Sequence, residues 1–158
     1  MNHCGTCEAC CTWLTIEDPV LPKAAGVRCN NLGACGGCVI YADRPKACSD
    51  FRCIWLTAVY DGNAPPPEMR PDRSGVMFDA VGPRTLAARC DRARPHAWRE
   101  EPAWSFVQRA ARSGLTVIAG VTGSRRKFVV TADPFGRIAV RRDKFTEVDA
   151  NGIQRMVK

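Results

Sequence analysis

Nine of the chain's ten cysteines, Cys4, Cys7, Cys10, Cys11, Cys29, Cys35, Cys38, Cys48 and Cys53, fall within the first 53 residues, and Cys90 alone lies beyond them. Gly5, Pro19, Pro22, Gly26, Gly33, Gly36, Gly37 and Pro45 interrupt every candidate periodic run in that stretch, so it reads as loops and short turns with little apolar core. Cross-links must then supply much of its folding free energy. A structural zinc site contributes on the order of 10 kcal/mol.

Compartment decides between the two kinds of cross-link. The opening residues show no basic stretch followed by an apolar one, as a secretory signal would require. No run approaches the roughly 18 apolar residues of a membrane span. The expectation is a cytoplasmic chain without membrane contact, where thiols stay reduced and clustered cysteines point to metal ahead of disulfides.

The spacing carries the coordination chemistry. Cys4–Cys7 and Cys35–Cys38 are C-x-x-C pairs, which let one tight turn aim two thiolates at one metal. Gly36 and Gly37 allow the positive φ angles of such a turn. Cys7–Cys10 is a third pair sharing Cys7 with the first. Adjacent Cys10 and Cys11, in extended backbone, would point to opposite sides and serve neighbouring metals. The pattern favours a multinuclear site. Nine thiolates fill three tetrahedra if three of them bridge, and eight fill two separate four-cysteine sites. The expected ligands are therefore all nine N-terminal cysteines, holding two or three zinc ions. Cys4, Cys7 and Cys10 also repeat part of a ferredoxin motif, so an iron–sulfur redox or methyl-transfer enzyme is the alternative.

The ordered string Cys4-x-x-Cys7-x-x-Cys10-Cys11, Cys29, Cys38-Val39-Ile40-Tyr41, Arg44-Pro45-Lys46-Ala47-Cys48, Phe51 and Cys53 resembles the YkgJ-like CxxCxxCC cysteine-cluster family. The resemblance covers about the first third of the chain and implies zinc or iron chelation, with no settled reaction. Similar motifs occur in flagellin lysine methylases. Glu8 stands where the family usually has Gly, Ser49 where it has Arg, and Arg52 where it has Pro; the ligands are untouched.

Residues 54–158 read differently. Residues 1–53 are formally neutral, and the whole +7 excess sits after them. Residues 54–60 fit a helical turn or a strand, and Pro65-Pro66-Pro67 marks a boundary. Val76–Val81, Thr85–Cys90, Leu115–Val121, Phe128–Thr131 and Arg137–Arg142 read as strands, the last two as a hairpin around Asp133–Gly136. Pro102–Ser113 is the main helix, with Glu100 and Glu101 before it, Arg109 and Arg112 towards its end, and Gly114 as its stop. The fold class expected is α+β: a small irregular cysteine-rich metal-cluster lobe, residues 1–60, packed on a mainly antiparallel sheet with one main helix, residues 61–158.

Other chemistry is thinly represented. No phosphate-binding loop, H-E-x-x-H or G-x-S-x-G string occurs. Two histidines, His3 and His96, are too few for a three-histidine zinc, and an all-thiolate site leaves no open corner for water. A structural, storage or delivery role is favoured over catalysis. His3 is read as a fraying terminal residue, Cys90 and His96 as a strand cysteine and a surface histidine. Arg44 is either a neutraliser of the thiolates or an ordinary surface residue. Arg125, Arg126, Lys127, Arg141 and Arg142, with Phe128 and Phe145, suggest a nucleic-acid surface, with solvated sheet edges the preferred reading. A zinc-stapled nucleic-acid adaptor is thus a second alternative, and a protein partner is left open.

Overall fold

A computed structural model describes residues 4–148 and 154–156; His3 lies outside them. The helices are α1 (Ala9–Trp13), α2 (Lys46–Asp50), α3 (Ile54–Tyr60), α4 (Pro71–Ser74) and α5 (Ala103–Arg112). The strands are β1 (Val76–Gly82), β2 (Thr85–Cys90), β3 (Thr116–Val121), β4 (Arg126–Ala132), β5 (Ile138–Val148) and a short β6 (Gln154–Met156). No helix among the described residues is long and apolar enough to cross a membrane.

The fold is α+β, and the sheet is mixed. Strands β1 to β5 lie in chain order, with β6 beside β5. The β1–β2, β3–β4, β4–β5 and β5–β6 pairs are antiparallel, whereas β2 and β3 run parallel, Leu86 opposite Val117. The sequence reading of a mainly antiparallel sheet did not resolve that parallel pair. Its physical reason is the connection: parallel neighbours need a long crossover, and residues 91–115 supply one, carrying a 3-10 turn (Ala97–Arg99) and α5. The β4–β5 hairpin closes as expected, with the Asp133 carboxylate accepting the N–H groups of Phe135 and Arg137, both at 2.9 Å.

Alternation along the strands gives the sheet two covered faces at one edge. Val76, Phe78, Ala88, Cys90, Val117, Ala119 and Val130 turn towards α5, whose Ala103, Val107, Ala110 and Ala111 complete the main core with Trp98. On the opposite face, Met77 packs with Ala9 and Leu14, and with the partly buried Trp13 and Phe51. Strand β1 is thus shared between the α5 core and the N-terminal segment. Residues 54–60, open between helix and strand in the sequence, form α3, which lies against β1.

Candidate metal centre

Eight of the nine N-terminal cysteines line one cavity of about 570 Å³. Cys4 and Cys7 come from the first turn, where the Cys7 N–H donates to the Cys4 carbonyl at 3.0 Å. Cys10 and Cys11 come from α1, Cys29 and Cys38 from the loops, Cys48 from α2, and Cys53 from the residue that caps α3. The Cys29 N–H donates to the Cys11 carbonyl at 3.0 Å, tying the loop to α1. Cys35 is exposed and stands outside the cavity. Its C-x-x-C turn otherwise forms as its glycines predict: Gly36 and Gly37 have φ of +84° and +80°, and the Gly33 N–H closes on the Gly37 carbonyl at 2.9 Å.

Cys10 and Cys11 are not in extended backbone. Both lie in α1, and their sulfurs are 3.9 Å apart. A tetrahedron with metal–sulfur bonds of about 2.3 Å has an edge of about 3.8 Å. The pair therefore matches two corners of one site, where the sequence reading gave them to neighbouring metals. Helical turning places successive side chains about 100° apart instead of 180°, which is the source of the difference.

The thiols are gathered but not closed. Among the described residues, no group of three or more Cys, His, Asp or Glu side chains is arranged to hold a metal ion. In kind and number the donor set fits a soft cation. Its electrostatics are those of crowded thiols. Burial pushes Cys4, Cys7, Cys48 and Cys53 above the usual thiol range, and neighbouring thiolates add to the shift: Cys53 and Cys11 on Cys4, and Cys11, Cys29 and Cys38 on Cys48. Backbone N–H groups oppose it at Cys7, from Ala9 and Asp72, and at Cys53, from Leu56 and Trp55. The vicinal pair is split in opposite directions. Cys11 is lowered to about 7 by the hydrogen bond with Cys10 and, against desolvation, by Lys23. Cys10 is raised well above the usual thiol range by the same hydrogen bond and by burial.

Lys23 is the residue that sequence reasoning missed. It is 9% exposed, and its ammonium donates to the carbonyls of Leu14 (2.5 Å), Val27 (2.9 Å), Ala24 (3.2 Å) and Thr12 (3.3 Å). Three N–H donors among four carbonyls means at least one is shared. Burial lowers its pKa, while Cys29, Cys11, Cys10 and Cys48 act the other way. A fixed cation thus stands behind the thiols. The local sequence around Pro22 and Lys23 carries no signal for this, because the four carbonyls come from residues 12–27 folded back on themselves.

Charged side chains also border the cavity: Glu17, Arg44, Asp50, Arg52 and Asp79. Arg44 reaches it with its guanidinium 3.9 Å from the Tyr41 ring centroid, and it acts to lower both Cys4 and Cys11. Asp79 of β1 lines the cavity as well. Its carboxylate takes a two-pronged ion pair from Arg89 of β2, at 2.6 and 2.9 Å, with both residues buried.

Cys90 is apart from all of this. It is buried in the α5 core, its thiol pushed up to about 11 by burial. His96 is exposed and packs edge-on against Phe128, ring centroids 5.7 Å apart. No hydrogen bond joins Cys90 and His96 among the described residues, so the pair has no catalytic geometry. Lys127 is buried at 6% exposure, Phe145 is buried, and Arg141 is engaged with Asp143; these three leave the basic surface expected from sequence. Searches among family profiles, curated proteins and solved structures return no match to this chain.

Proposed function

We propose that residues 1–60 form a metal-chelating lobe whose thiolates bind two or three zinc ions, in a structural, storage or delivery role. The observation that carries this reading is the convergence of eight cysteines, from four separate stretches of chain, on one cavity. Packing accounts for only some of these thiols: Cys7, Cys10 and Cys53 lie against the small buried cluster of Ala9, Leu14 and Met77, and the other five do not.

Cys4, Cys7, Cys10, Cys11, Cys29, Cys38, Cys48 and Cys53 are the ligands in this reading, and eight thiolates suffice for two four-coordinate ions. Cys35 becomes a bystander. When bound, the metal supplies cross-links between stretches that share few apolar contacts. The chain supplies the rest: Lys23 and Arg44 offset the thiolate charge, and the N–H groups of Ala9, Asp72, Trp55 and Leu56 hold the sulfurs of Cys7 and Cys53 in place. The likeness of the N-terminal string to the YkgJ-like family supports the same chemistry.

Elemental analysis of the anaerobically purified full chain tests it. The expected result is colourless protein with about two zinc ions per chain. One ion or fewer, with all thiols titrating as reduced, overturns the multinuclear reading. Brown protein carrying iron and labile sulfide overturns zinc in favour of an iron–sulfur cluster.

A further inference from the structure

We infer that the sheet carries a second binding site, for single-stranded nucleic acid, centred on Phe128 and separate from the cysteine cavity. In the β4–β5 ladder Phe128 stands directly opposite Arg142, and two residues along, Arg126 stands directly opposite Lys144. Arg126 and Lys144 are both exposed. Like charges paired across strands destabilise a sheet, so the fold gains nothing from this arrangement.

The 3-10 turn before α5 brings a third guanidinium to the same place. Arg99 lies 5.0 Å from the Phe128 ring centroid and 4.6 Å from that of Trp98, and Arg142 lies 5.1 Å from Phe128. His96 meets the Phe128 ring edge-on. Two exposed cations, Arg99 and Arg142, thus lie over the half-buried Phe128 ring, and two more, Arg126 and Lys144, stand one register step away on the same face of the ladder.

None of the four has a carboxylate partner among the described residues. The adjacent acids are taken by other bases: Glu100 by Arg94, and Asp143 by Arg141. A patch that keeps its charge unpaired, sets guanidiniums within about 5 Å of aromatic ring centres and adds a histidine offers what a single strand needs. Phosphates meet the cations, and bases stack on arginine planes or aromatic faces. A duplex would hide its bases from those planes, and an acidic polypeptide would make no use of them.

The test is fluorescence anisotropy of a labelled oligo-dT of about 16 nucleotides, the scale of one single-strand footprint, with full-length protein across a salt series. The wild-type chain is expected to bind at low salt, more tightly than it binds duplex of equal length or polyglutamate. Arg142→Ser with Lys144→Ser should weaken binding at least tenfold and reduce the slope of log K against log salt by about 1.4, two phosphate contacts at roughly 0.7 each. Phe128→Leu should weaken binding several-fold with the slope unchanged. Arg99→Gln, a change at an exposed residue outside the sheet, covers the case in which Phe128→Leu unfolds the sheet, and it should lower the slope by about 0.7. Removing two bases elsewhere, by Arg73→Ser with Arg109→Ser, should leave binding nearly as it was. The inference is overturned by no binding at low salt, by equal loss in that control, or by equal affinity for duplex or polyglutamate, any of which reduces the patch to general positive charge.

Discussion

The α5 side of the sheet and the cysteine-rich segment, residues 4–60, meet on β1 but are held by different forces. The first has fifteen buried residues in one cluster, including Trp98, Val107, Val117 and Val130, with strands hydrogen-bonded along their length. The second has helices of five to seven residues, too short to be stable alone. It has two isolated β-bridges, Ile16–Lys23 and Leu32–Cys38, and a buried ammonium tied to four carbonyls. Apolar burial suffices for one region. The other relies on point attachments, each directional and each dependent on one residue. A region of the second kind fails piecemeal when an attachment is removed, and a region of the first kind fails as a whole.

The largest expected effect follows from removing metal. Chelation should unfold residues before about 60 while the α5 core survives, a loss on the order of 10 kcal/mol per structural ion. Limited proteolysis and hydrogen exchange would show early cuts and fast exchange there alone. Simultaneous digestion of both regions would mean that β1 makes them one cooperative unit. Cys38→Ser should act in the same direction, lowering metal content and protection in the segment only.

A smaller effect probes the shared wall. Asp79→Asn leaves the Arg89 guanidinium buried without its carboxylate, which costs about 3–5 kcal/mol. Urea unfolding of the variant should show both regions losing stability, since Asp79 borders the cavity from within β1. A loss confined to the segment would assign the pair to that side of the comparison.

Lys127 sharpens the α5 side. Its pKa is lowered from 10.5 to about 8 by burial and by Arg89. The folded state therefore binds this proton more weakly than the unfolded chain does. The lysine is tolerated best above pH 10.5, where it is neutral in both states, and its cost grows as pH falls, reaching its full size below about 8. Lys127→Met should raise stability by about 2 kcal/mol at pH 7, after allowing for the Val121 carbonyl left without its donor. The gain should shrink as pH rises and turn into a small loss before pH 10.5, where only the unpaired Val121 carbonyl is left to count. Thermal unfolding of both chains across that range measures it. A gain that does not change with pH would mean that packing, not charge, accounts for it.

The smallest effects separate ligand from bystander. Cys90→Ser should leave metal content unchanged and cost about 1 kcal/mol of packing. Cys35→Ser should change neither metal content nor stability. Loss of metal in either variant would place a ligand outside the cavity and dissolve the contrast between the two regions.

Much of the sheet was legible because local signals agree there. Val76–Val81 and Thr85–Cys90 coincide with β1 and β2 to within a residue, and the turn between them is Pro83-Arg84, with Gly82 still paired to Thr85 at the end of β1. Helix α5 follows from its apolar spacing and from Gly114. The parallel β2–β3 pair was not legible, since pairing partners are chosen by long-range packing that no window of sequence contains. In the segment, the cysteine spacing located the candidate ligands, yet it did not separate Cys35 from the rest. Gly36 and Gly37 set the turn at Cys35 and Cys38 but do not decide which sulfur faces inward. Asp79 and Arg89 carried a faint sign. Val76-Met77-Phe78 is apolar on both faces, the pattern of a strand covered on both sides, and an acid continuing such a strand needs a buried partner.

Strand β1 is also the outermost strand of the sheet, so one of its edges has no strand neighbour among the described residues. Helices α3 and α4 rest against it, and Met77 lies under the N-terminal segment. If the segment opens, an apolar edge comes free, and exposed edges of that kind template intermolecular strand pairing. The thiols would then guard colloidal solubility as well as local structure. Stripped or oxidised protein would be lost by aggregation, an irreversible fate that removes molecules before any loss of sheet structure is seen.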